Sequence, residues 1–235
     1  MLFNASPLLA YLFLNHALSS PYPFPNSTAT PPNTTSNDTM PVQPSPLNSS
    51  GIPQYECHEV YPSNLTVLNA RYPDYDEDHL HRATQFFMLR RQLGSSGEIS
   101  TLVQFTDLPN STSNYTCRLE FVLPRPELQL IQGTNPSFNV WQVASDVGAV
   151  ATWNEYSQGG GKVLYGTVNG EEQALNRTSS VGGVAAVNET ACNETMSFQM
   201  GMMYDSVGDA PNYWEFLEVA PPAWPVQGFR VVYGC

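Results

Sequence analysis

Asp74, Asp76 and Asp78 alternate along YPDYDEDHLH and run into His79 and His81, a spacing that resembles the opening of a calcium loop. The likeness stops there: His79 stands where such a loop turns on glycine, and Gln85 where it needs a bidentate glutamate. The same side chains could ligate a transition metal, but runs of this composition are usually solvated acidic loops, and that reading is adopted. Glu120, Glu155, Glu215 and Glu218 could supply the acid and nucleophile of a glycosidase if two of them faced one cleft. A Ser-His-Asp triad is disfavoured, because all four histidines (His16, His58, His79, His81) lie toward the amino-terminal end, none beyond residue 81. Gly159-Gly160-Gly161-Lys162 is followed by Val163 where a phosphate loop requires Ser or Thr, so it is expected to be a hairpin tip. No catalytic residue, metal or cofactor is expected. Four tryptophans remain. Trp141 and Trp214 fall in strand-like runs and are expected to pack in a core. Trp153 and Trp224 fall in the loop-like stretches 151–158 and 221–227 and are the candidates for stacking on sugar rings.

Modification chemistry is far more abundant than catalytic chemistry. Eleven Asn-x-Ser/Thr triplets begin at Asn4, Asn26, Asn33, Asn37, Asn48, Asn64, Asn110, Asn114, Asn176, Asn188 and Asn193. The composition would give about three by chance. Such triplets become glycosylated only in a chain that enters the secretory pathway, so their excess argues for compartment. The ten from Asn26 onward are the expected glycan sites of the mature protein. Cys57, Cys117, Cys192 and Cys235 make an even count, which in an oxidising compartment predicts two disulfides. Three pairings are open. Cys117 with Cys192 and Cys57 with Cys235 is favoured, since the second bond ties the start of the folded region to its last residue; a free or intermolecular Cys235 is the alternative. Loops this long are worth about 4–5 kcal/mol each in the chain-entropy account.

The rest of the composition points the same way. Residues 1–19, with Leu8 to Leu14 apolar and small residues at Ala17 to Ser20, are expected to be a cleaved signal peptide, although the usual basic start is missing. No later stretch is long and apolar enough for a membrane helix, and no hydrophobic tail marks a lipid anchor. A formal charge of −12, with eight Arg and one Lys, offers no basic patch for a phosphate backbone, so nucleic acid is not an expected partner.

These residues must be positioned by something other than helices. Residues 20–53 hold nine of the 20 prolines and four of the triplets, and predict a disordered, glycan-bearing stalk. From residue 54 to 235 the pattern changes to short β-branched and aromatic runs broken by Gly, Pro, Asn and Asp. Strands are expected at 85–93 and 99–105, joined through Gly94-Ser95-Ser96-Gly97 as a hairpin. Others are expected at 115–123, 138–144, 162–168, 196–203, 214–219 and 229–233. A short helical turn is expected near 76–84. Arg90 and Arg91 fall on opposite strand faces, so one must reach solvent or an acidic partner. The fold class is all-β: one antiparallel β-sandwich, jelly-roll or immunoglobulin-like, after a disordered Pro/Ser/Thr/Asn-rich stalk.

The runs I-x-x-L-V-Q-F-x-x-L-P and Y-T-C-R-L-E-F-V-L-P between Ile99 and Pro124 resemble the Ubiquitin 3 binding protein But-two C-terminal domain, as do Cys192 ahead of M-S-F-Q-M and the closing G-F-R-V-V-Y-G-C. The resemblance covers residues 56–235 and implies a β-sandwich found in secreted fungal proteins. It carries no catalytic signature, and the cytosolic partner behind the family's name does not suit a chain with these features. The expected role is a secreted, non-enzymatic structural or recognition module meeting cell-wall polysaccharide or an extracellular protein. The alternatives are a carbohydrate-active enzyme using a Glu pair and a secreted protein-binding, host-interaction factor.

Overall fold

The computed structural model describes residues 57–75, 85–95, 97–143, 151–157 and 161–235. The leader, the proline-rich segment, the triplets from Asn4 to Asn48, the acidic run from Asp76 to His81 and the expected turn over 76–84 lie outside the described residues. Runs of β-branched and aromatic residues form twelve strands: β1 (His58–Val60), β2 (Asn64–Asn69), β3 (Phe86–Arg91), β4 (Ile99–Phe105), β5 (Thr116–Val122), β6 (Gln129–Gln132), β7 (Phe138–Val143), β8 (Val163–Val168), β9 (Val184–Ala191), β10 (Met196–Met202), β11 (Asn212–Leu217) and β12 (Gly228–Tyr233). Two helices accompany them, α1 (Trp153–Ser157) and α2 (Glu172–Ser180).

The strands pair antiparallel in two sheets, one in the order β1-β12-β5-β9 and the other β6-β11-β3-β4-β10-β7-β8, with β2 also laid along β4. The sheets pack face to face as an all-β sandwich. Alternation decides which side chains meet between them. Phe121 and Phe229 from the smaller sheet enter the same aromatic cluster as Phe87, Phe138, Trp214 and Phe216 from the larger one. Phe121 lies tilted against Phe229 at 4.9 Å and meets Trp214 edge-on at 5.6 Å. These six rings are fully or almost fully buried.

The expected hairpin over residues 85–105 has a different form. β3 meets β4 only at Arg90↔Ile99, beside the turn, whereas β2 pairs with β4 over its whole length, from Asn64↔Gln104 to Asn69↔Ile99. Further along, β3 is tied to β4 by a side chain: the buried Thr101 hydroxyl donates to the Met88 carbonyl (2.7 Å) and accepts from the Met88 amide (3.2 Å). Arg91 finds its acidic partner in Asp205 (2.5 Å), and Arg90 donates to the Gly97 carbonyl (2.7 Å).

β10 is buried on both faces because the larger sheet is covered outside as well as inside. On the outer side Leu68, Leu102 and Ala151 form a second apolar cluster, against which Val143, Trp153 and Tyr156 pack. At the opposite margin, β9 bulges past Val187, and the β8 residue beside that bulge is Gly166. A side chain there would collide with the Val187 carbonyl and methyl group. Hydrogen bonds from Asn188 Nδ2 to the Tyr165 carbonyl and from the Tyr165 hydroxyl to the Asn188 carbonyl close this corner between the sheets.

Candidate functional site

Both disulfides form as expected, Cys57 with Cys235 and Cys117 with Cys192. Register explains them. Cys117 faces Tyr233 across β5 and β12, and the amide of Cys192 donates to the Tyr115 carbonyl, so all four cysteines are drawn to one end of the sandwich. Asn64, Asn110, Asn114 and Asn193 lie at that end too, since β2 starts opposite Gln104 and the Leu108 amide bonds to the Glu194 carbonyl. Asn110, Asn114, Asn176, Asn188 and Asn193 are exposed, whereas Asn64 is half-buried.

The four tryptophans separate sharply. Trp214 is fully buried, its indole N–H donating to Gln129 Oε1 (2.9 Å). Trp141, expected in the core, is half-exposed on the outer side of β7, where the Lys162 ammonium sits 5.1 Å from its ring centre. Trp153 opens α1 and packs on the Leu68–Leu102–Ala151 cluster. Trp224 is 79% exposed.

Trp224 owes its position to the loop between β11 and β12. Val219 and Gln227 bond to each other through both backbone amides, and Gln227 Nε2 donates to the Leu217 carbonyl, so the neck of the loop is fixed. Below it the Glu218 carboxylate accepts from the Phe229 amide. It fills the space where any side chain at position 228 would lie, and Gly228 (φ 100°) leaves that space open. Prolines at 221, 222 and 225 remove amide donors from the loop tip and limit its backbone freedom.

The loop overhangs a cleft of about 480 Å³ whose other walls come from Leu123, Arg125, Gly183 and the outer side of β1 and β12. Its floor, formed by Glu59, Tyr61 and Arg230, is one end of a charge ladder. Arg230 bonds Glu120 (2.9 Å) and Glu59 (2.8 Å), Arg118 holds the second oxygen of Glu120 (2.7 Å), and the Tyr61 hydroxyl donates to Glu59 (2.6 Å). Burial, and then the bond to Glu59, hold the Tyr61 phenol above its ordinary pKa, so it stays a donor. Arg125 is exposed and makes no ion pair among the described residues. The cleft thus combines one aromatic face, an exposed guanidinium and a fixed row of polar groups.

The glutamates considered for glycoside chemistry are dispersed. Glu120 belongs to the ladder outside the smaller sheet, Glu215 bonds to Tyr213 outside the larger one, Glu155 lies in α1, and Glu218 is buried behind Phe229. None of the four lines the Trp224 cleft. Tyr61, Arg125 and Arg230 were not picked out by sequence reasoning. Their only sequence signal is a lone charge or hydroxyl near a strand end, which many exposed residues share. Comparison with protein-family models and with characterised proteins finds no match to this chain.

Proposed function

We propose that this chain is a secreted, glycosylated recognition module that binds carbohydrate through the Trp224 cleft and has no catalytic activity. One observation carries the reading: a large aromatic face, 79% exposed on a braced loop, stands over a cleft of fixed polar groups. A pyranose presents apolar C–H faces and a rim of hydroxyls, and an exposed indole beside Arg125, Tyr61 and Gln227 offers a counterpart to each. Exposing Trp224 forgoes the stabilisation that burying so large a side chain would bring. Two disulfides and the excess of sequons favour the extracellular setting. An affiliation with secreted fungal proteins of the But-two C-terminal type, and cell-wall polysaccharide as the ligand, belong to the same proposal.

Retention of the purified protein on insoluble wall polysaccharide tests it. Trp224→Ala is expected to lower retention at least tenfold without changing the thermal midpoint, and neither protein should release reducing sugar. Undiminished retention of the variant would exclude Trp224 as the contact, and sugar release would transfer the case to the Glu-pair enzyme reading.

A further inference from the structure

A second cleft, of about 710 Å³, lies between α2 and β6 and shares Leu123, Arg125 and Gly183 with the first. Leu130, Ile131, Pro136 and Leu175 give its walls an apolar stretch, and Leu130 is 41% exposed. Glu172, Leu175, Asn176 and Ser179 line it from α2, three to four residues apart, which is the spacing of one helix face. Asn176 is thus an exposed wall residue of an apolar groove, and it opens the triplet Asn176-Arg177-Thr178.

We propose that this groove seats the N-glycan carried by Asn176, so that the first sugars pack on the domain's own apolar wall and join α2 to β6. The inference rests on the secretory reading above. Place selects the occupant: Asn176 belongs to the wall itself, so the first sugar is held at the groove by a covalent bond, at high effective concentration. The chemistry also fits. A sugar's C–H face can cover Leu130 and Pro136, while its hydroxyls reach Glu172 and Ser179 at the rim. The side chain of Asn176 makes no hydrogen bond among the described residues, whereas the acceptor nitrogen of Asn188 donates to the Tyr165 carbonyl. α2 benefits most from such a cover. Of its nine residues only Ala174 and Leu175 are apolar, none is buried, and Leu175 is the one that packs against the main core.

The test compares wild type, Asn176→Gln, Thr178→Ala and Asn110→Gln made in a glycosylating host, with glycopeptide mapping of each. Loss of the Asn176 glycan by either route is expected to lower the thermal midpoint by about 2–4 °C and to speed amide exchange over 129–132 and 172–180. Asn110→Gln should do neither. Wild type trimmed enzymatically to a single sugar should keep the protection, and Asn176→Gln should equal wild type when both are made without glycosylation. An Asn176 found bare while other sites are occupied, or occupied with no change in exchange on its loss, would overturn the proposal and leave the secretory reading intact. Native protein bare at every site would remove both.

Discussion

Both carboxylate oxygens of Glu218 lie 3.0 Å from the amide nitrogen of Phe229. The bond anchors the Trp224 loop to the start of β12, and it is buried. Burial pushes the Glu218 carboxyl well above its ordinary pKa, with the Phe229 amide opposing. A carboxyl whose pKa is raised on folding makes the folded state hold a proton that the unfolded chain has released. Stability from this group is therefore complete below about pH 4.3 and falls as pH climbs from there toward the raised value. Glu218→Gln should remove that decline. Thermal melts from pH 4 to pH 8 are expected to show the variant gaining on wild type as pH rises, and parallel curves would contradict the assignment.

Thr101 supplies with one hydroxyl what a ladder would supply with two backbone bonds. Thr101→Val keeps the shape and leaves the Met88 amide and carbonyl without their partner. Urea denaturation should report a loss of about 1–3 kcal/mol, the cost of stranding buried polar groups. A neutral result would mean that the β3–β4 link can be replaced.

Phe121 touches Phe138, Trp214, Phe216 and Phe229 and so belongs to the contact between the sheets. Phe121→Ala is expected to cost about 3–5 kcal/mol by denaturant titration, from lost burial and the cavity left behind. Leu217→Ala, on the exposed side of β11, should cost far less.

Cys117 and Cys192 are 75 residues apart in the chain, with Cα atoms 4.9 Å apart. Replacing both with serine should cost about 2–5 kcal/mol in chemical denaturation, through the freed unfolded chain. Non-reducing peptide maps should return Cys117–Cys192 and Cys57–Cys235.

How much of this could be read from residues alone varies with the physics of each element. Strands with one wetter face announce themselves by alternation, and Phe138 to Val143 emerges where period two places it. β2 does not, because four of its six residues are buried on one side or the other. β9 buries no residue, and its three alanines and the run Asn188-Glu189-Thr190 lack a clear strand pattern, so little in its composition separates it from a loop. α2 escaped because two adjacent apolar residues make no stripe. The expectation for Trp141 failed for a related reason: strand position tells that a side chain points to one face, and only the covering loop decides whether that face is dry. Trp153 and Trp224 occupied similar loop contexts, yet one found the Leu68–Leu102 cluster beneath it and the other found solvent. Cysteine pairing was accessible early, because closing the domain's first and last strands needs no knowledge of register. Side-chain networks such as Arg118–Glu120–Arg230–Glu59 need that register residue by residue.

The bond between Cys57 and Cys235 has a mechanical meaning. The two Cα atoms are 4.8 Å apart, and every strand among the described residues lies between them along the chain. Tension entering at one cysteine and leaving at the other passes through sulfur, and the sandwich is bypassed like a component under a shunt. A tether pulled across these two points would stretch without unravelling a single strand until the bond was reduced.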